Sequence, residues 1–135
     1  MNEHVVPIVP VALNTYFPPN QPRPRRCYEL GRAIRGAVRS AKGNERVGIL
    51  ASGGLSHFTV DEDLDRGLLD ACKRRDAEYL SSIPVEKLNS GSSEIRNWIT
   101  VAGAAAHLKI EWQEYIPCYR SAAGTGCGMG FSVWR

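Results

Sequence analysis

The chain has 135 residues, with 17 Lys or Arg against 14 Asp or Glu for a net charge of +3, and is 43% hydrophobic and 23% charged. That length suits one compact domain and excludes two independent ones. The composition excludes collagen, coiled coil and disorder, and the charge is too mild to argue for nucleic acid.

The first segment, Val5 to Asn14, is apolar and β-branched and reads as a buried strand. Pro7 and Pro10 remove two ladder donors, so an edge position is expected. The same prolines interrupt the apolar stretch of a leader that lacks Lys and Arg, so no signal peptide is expected. No apolar run reaches the ~18 residues of a membrane span. A cytoplasmic protein that binds neither nucleic acid nor membrane follows as the expectation.

The proline-rich stretch from Tyr16 to Arg26 reads as an extended loop. Leu30, Ala33, Ile34, Ala37, Val38 and Ala41 then recur with helical spacing, which predicts an amphipathic helix ending near Gly43. Arg32, Arg35 and Arg39 fall on its other side, so the basic residues here read as a solvated face. Val47 to Ser52 is a near-continuous apolar run of the kind found in a parallel strand covered on both faces. It leads into Gly53-Gly54-Leu55-Ser56-His57.

A second helix is expected from Asp61 or Glu62, acidic at its start and ending in Lys73-Arg74-Arg75, with Leu64, Leu68 and Cys72 inward. Asp76 to Leu88 reads as a short helix and a turn around Pro84. A third long helix should start near Ser92-Ser93, with Ile95, Trp98, Ile99, Ala102 and Ala106 on one face. Lys109 to Cys118 and Gly128 to Trp134 read as strands. The alternation predicts an α/β fold, a layered sheet with flanking helices.

Cys27, Cys72, Cys118 and Cys127 form no CxxC pair and are read as reduced, mostly buried thiols, not as disulfides or a zinc site. His57 stands out because ligand sites in open α/β sheets lie beyond the carboxyl ends of strands. Ser56 beside it raises a Ser-His hydrolase, but GxSxG is absent. Glu94 sits at the entrance to the third helix, where the dipole favours an acid whatever its function. The Gly124-Thr125-Gly126-Cys127-Gly128-Met129-Gly130 tail lacks the following helix of a dinucleotide fingerprint and reads as a turn with close strand packing. His4 and His107 have no ligand-spaced partners beyond Glu3.

Several segments together are similar to a known family. Val11-Ala12-Leu13-Asn14-Thr15-Tyr16, the Arg26 to Ile34 helix, Ala51 to His57, Asn89 to Trp98 and Cys118 to Gly124 resemble class III extradiol ring-cleavage dioxygenases. Within these the chain looks most like the catalytic, beta-type subunit of protocatechuate and gallate dioxygenases. The resemblance implies half of that catalytic-subunit fold, with residues 1–135 as the carboxyl-terminal part of the domain. It also implies non-haem Fe(II), O2 and a catechol-type aromatic acid opened beside its two hydroxyls. The family's acid/base histidine matches His57 and its glutamate iron ligand matches Glu94. A two-His-one-carboxylate set leaves coordination positions open, and an imidazole near neutrality can take a phenolic proton.

The family's two iron-binding histidines belong to the amino-terminal half and match neither His4 nor His107. Fe(II) is therefore expected to bind weakly or not at all to this chain alone, and whether the chain is an enzyme stays open. A missing amino-terminal half or a small subunit is the implied partner, and the chain is expected to oligomerise. No substrate-binding residue is singled out. The alternative is a non-catalytic binding or interaction module on the same fold.

Overall fold

The computed structural model describes residues 6–135. His4 and the start of the expected Val5–Asn14 strand lie outside them. Helix α1 spans Pro24–Ser40, with Pro24 in its first turn, where a missing N–H costs nothing. Strand β1 is the short His57–Thr59 segment, followed by α2 (Glu62–Arg74) and α3 (Ala77–Ser82). Two turns of 3-10 helix, Val85–Leu88 and Ser90–Glu94, lead into α4 (Ile95–Ala104). The chain closes with β2 (Ile110–Tyr119) and β3 (Thr125–Trp134).

Local chemistry accounts for most of these boundaries. Asp61 caps α2 by accepting the Leu64 N–H at 3.0 Å, and Asp76 caps α3 by accepting the Tyr79 N–H at 2.9 Å. Leu64, Leu68 and Cys72 face inward from α2, as their spacing requires. Helix α4 is buried along nearly its whole surface, and its Ile95, Trp98 and Ile99 form the centre of the core with Leu55, Leu68, Leu80 and Leu88.

Helix α1 forms where the periodicity places it but buries a different face. Pro24, Cys27, Tyr28 and Gly31 are buried, whereas Ala33, Ala37 and Val38 are exposed. The reason is backbone contact with α4. A Cβ on Gly31 would lie 1.9 Å from the Thr100 carbonyl oxygen, and one on Gly103 would lie 2.3 Å from that of Tyr28. The two glycines let the helices touch, and that crossing sets which face turns inward.

The sheet departs from expectation. It has three strands in the order β1-β3-β2, all antiparallel, with Cys118 opposite Cys127 and His57 opposite Cys127 in register. The apolar runs at Val6–Asn14 and Val47–Ser52 form no strand. Most of their side chains stand in solvent, Ile8 at 83% exposure and Leu50 at 90%, while Leu13 and Ala51 rest partly buried against the core. A parallel strand needs ladder partners beside it and layers on both faces, and no described residue pairs with these runs in a ladder. The architecture of the described residues is thus a small α/β fold of four helices and a three-stranded antiparallel sheet. Among the described residues no helix is long and apolar enough to cross a membrane.

The inner face of the sheet packs on α2 and α4. The outer face presents Trp112, Ile116, Met129, Phe131 and Val133 to solvent. Together with Val6, Ile8, Val9, Val47 and Leu50 this exceeds the scattered apolar surface usual for a monomer. Purified chain is accordingly expected to self-associate, with a sedimentation coefficient that rises with concentration. A constant monomeric value across the micromolar range would contradict this.

Candidate active site

The Gly53-Gly54 turn organises the site. Its backbone is held from α4, where Trp98 Nε1 donates to the Gly53 carbonyl at 3.1 Å and Asn97 Nδ2 donates to that of Ser52 at 2.7 Å. From the other side, the Leu55 N–H donates to the Gly128 carbonyl on β3 at 2.9 Å. Gly53 sits at φ +115, a conformation that side chains disfavour. A Cβ there would also come within 2.6 Å of Glu94 Oε2.

Glu94 is the last residue of the 3-10 turn and stands at the entrance to α4, as its sequence context predicts. Its Oε2 accepts the Gly54 N–H at 3.3 Å. His57 opens β1. It does not follow a Val47–Ser52 strand, because that segment forms none. A Cβ on Gly54 would lie 2.6 Å from His57 Cε1 and 3.2 Å from its Nε2. Glu94 and His57 therefore flank the same glycine, less than about 10 Å apart by ordinary backbone dimensions.

Several residues fix the imidazole. Its Nδ1 lies 3.0 Å from the Leu55 carbonyl oxygen, which can only accept, so Nδ1 carries the proton and Nε2 is the basic nitrogen. Nε2 lies 2.9 Å from Cys127 Sγ, whose thiol donates to it. Ser92 Oγ accepts the His57 N–H at 3.1 Å and donates to the His57 carbonyl at 3.0 Å. Gly91 must lack a side chain, since a Cβ would reach within 2.3 Å of His57 Cβ. Burial, then the nearby Cys118, Asp65 and Glu94, pushes the Cys127 thiol above its ordinary range.

Ser56 points away from all of this. It is fully buried, donates to Asp65 Oδ2 at 2.6 Å and accepts the Asp61 N–H at 2.9 Å. Its hydroxyl is committed to the core, which overturns the Ser-His hydrolase. Asp65 also accepts the Ser56 N–H at 2.8 Å and the Tyr115 hydroxyl at 2.8 Å. A Cβ on Gly128 would fall 1.9 Å from Asp65 Oδ2, so that tail glycine serves close packing, as the sequence suggests.

Burial pushes the Asp65 carboxyl above its ordinary value, although three donors oppose the shift. A raised folded-state value means that the folded chain binds the proton more tightly than the unfolded one. The contribution of Asp65 to stability is then full below the usual aspartate range and is lost as pH rises through the raised value. The melting-temperature advantage of wild type over Asp65→Asn should accordingly shrink between pH 3 and pH 7. An advantage that grows over that interval would reverse the sign.

The hydrogen-bonding roles of Cys127, Ser92 and Asp65 were not legible from spacing. The one usable signal was the strand alternation that puts Cys127, Met129 and Phe131 on one face. His107 is exposed beyond the far end of α4 and takes no part. A surface cavity of about 590 Å3 lies at the β2–β3 turn, lined by Tyr119, Arg120, Ser121, Ala122 and Gly124, and includes neither His57 nor Glu94. All four cysteines are free, with Cys27 and Cys72 buried, Cys118 exposed and Cys127 half-buried. Among the described residues no three His, Cys, Asp or Glu side chains converge to hold a metal ion.

Comparison with known proteins gives one family. The model of the catalytic LigB subunit of aromatic ring-opening dioxygenase matches residues 1–130. No curated protein and no solved structure matches the chain. A match over nearly the whole sequence decides the matter: the chain belongs to the LigB family of aromatic ring-opening dioxygenases, a family of oxidoreductases.

Proposed function

We propose that residues 1–135 are the carboxyl-terminal part of a cytoplasmic extradiol dioxygenase domain that opens a protocatechuate- or gallate-like ring with O2. In this reading His57 is the acid/base and Glu94 is a carboxylate donor to Fe(II). The supporting observation is the convergence of the two side chains on Gly54, in a chain of this family. With Nδ1 tied to the Leu55 carbonyl, Nε2 is the nitrogen able to take a hydroxyl proton from the bound catechol and later return it. Unpaired cysteines suit a reducing compartment.

The described residues do not fit iron by themselves. They offer one carboxylate and one imidazole at the turn, and no three His, Cys, Asp or Glu side chains converge there. The remaining ligands are proposed to come from outside the described residues, from an amino-terminal half of the domain or a small partner subunit. The uncovered runs at Val6–Asn14 and Val47–Ser52 support this, since they have the composition of strands awaiting partners.

One observation favours the second reading, a non-catalytic module. The basic nitrogen of His57 is already occupied by the Cys127 thiol. Co-expression with the amino-terminal half of a family catalytic subunit separates the two readings. The catalytic reading expects Fe(II)-dependent O2 uptake and a yellow ring-opened product from the assembly, and none from this chain alone. An assembly that retains iron and consumes no O2 supports the non-catalytic module.

A further inference from the structure

The outer face of the sheet gathers two sulfur atoms that ring opening does not use, beside the His57 imidazole that it does. Cys127 Sγ lies 2.9 Å from His57 Nε2 and 3.6 Å from Met129 Sδ. Cys127 and Met129 are two residues apart on β3, so strand geometry puts both on one face. His57 joins them from β1 through its register with Cys127. Met129 is 36% exposed and Cys127 half-buried, so an ion can reach both sulfurs from solvent.

We propose that Cys127, Met129 and His57 form a binding site for a soft monovalent cation, Cu(I). The donor chemistry selects the ion. Thiolate and thioether are soft ligands that favour Cu(I), whereas ions such as Mg(II) or Mn(II) want carboxylates, carbonyls and water. Only two of the three donors belong to the usual His, Cys, Asp and Glu set, too few for those ions but enough for a d10 ion content with three ligands.

The geometry needs little change. Metal–sulfur and metal–nitrogen bonds of ~2.3 and ~2.0 Å place trigonal sulfurs ~4.0 Å apart and sulfur and nitrogen ~3.7 Å apart. Sγ and Sδ are already near the first spacing, and Sγ and Nε2 must open by just under about 1 Å.

On binding, the S–H bond breaks, the sulfur–copper bond forms and the proton leaves to solvent, with nothing oxidised or reduced. The thiolate and the monovalent ion neutralise each other, which suits a half-buried position. Cu(I) at Nε2 would also remove the basic nitrogen of His57, so the ion would compete with any proton transfer there.

The test is an anaerobic titration of the purified chain with Cu(I) in competition with a chromogenic copper chelator. Wild type is expected to withdraw one equivalent. Cys127→Ser should weaken retention at least a hundredfold and Met129→Leu about tenfold. Cys118→Ser, which removes the exposed thiol opposite Cys127 on β2, should stay within twofold. X-ray absorption of the one-to-one wild-type complex should show two sulfur neighbours and one nitrogen, and this decides the matter even if Cys127→Ser fails to fold. Failure of wild type to compete, equal loss in Cys118→Ser, or a copper shell without nitrogen would each overturn the site.

Discussion

In the assembled enzyme, His57→Ala is expected to lower ring-opening turnover by about a hundred- to ten-thousand-fold, the usual worth of a positioned acid/base, while iron content stays unchanged. Glu94→Ala is expected to lose the iron instead. The contrast follows from what each side chain can offer. His57 directs Nδ1 to the Leu55 carbonyl and keeps one basic nitrogen, so its removal costs a proton acceptor. Glu94 is the carboxylate at the turn, and without it a dication would face neutral imidazoles alone. Glu94→Gln sharpens the comparison because the amide oxygen can still accept the Gly54 N–H. If Glu94 only braces the turn, Glu94→Gln keeps both iron and activity; as an iron ligand it loses both. Metal analysis and single-turnover rates on the three variants decide the assignment, and iron lost from His57→Ala but kept by Glu94→Ala would reverse the roles.

The largest loss of stability is expected from Arg96→Met. Arg96 is 2% exposed and has no carboxylate partner among the described residues. Its Nε donates to the Pro22 carbonyl at 2.8 Å, and its NH1 donates to the carbonyls of Thr15, at 3.1 Å, and Leu88. Burial lowers its pKa, yet guanidinium remains charged at any accessible pH. Three carbonyls thus replace the water this cation gave up. Methionine keeps the apolar stem but leaves the Leu88 carbonyl without its side-chain donor and the Thr15 and Pro22 carbonyls with only Gln21 Nε2 and the Cys27 thiol, an expected cost of roughly 3–5 kcal/mol. Urea unfolding should show it as a lower midpoint with an unchanged slope. Limited proteolysis should move to residues 15–22, because Arg96 ties that loop to α4. A midpoint shift under about 1 kcal/mol would mean that water takes over the acceptors.

The parts legible in the sequence were those whose causes are local. Asp61 and Asp76 announce the starts of α2 and α3 because a cap acts within one helical turn. The inner stripe of α2, the entrance of α4 at Glu94 and the two long strands follow from period and from short-range turn chemistry. His57 was marked by the Gly-Gly turn before it and Glu94 by its place at the entrance to α4, although the Val47–Ser52 strand expected ahead of His57 does not form. The motifs from Ala51 to His57 and from Asn89 to Trp98 carried the family, which the match over residues 1–130 bears out.

What only the tertiary structure decided depends on partners distant in sequence. An apolar run at Val47–Ser52 says that something should cover it, not that anything in the chain does, and here Leu50 stands 90% exposed. The sheet is antiparallel because β3 pairs with β1 and β2, a choice that no single strand encodes. The buried face of α1 was set by Gly31 meeting Thr100 on another helix, which the 3.6-residue period cannot anticipate. The thiol on His57 Nε2 and the three carbonyls on Arg96 arise the same way. Local periodicity fixes which side chains share a face, but only folding brings residue 57 to residue 127 and residue 96 to residue 15. A hydrogen bond depends on that final distance and direction, not on position along the chain.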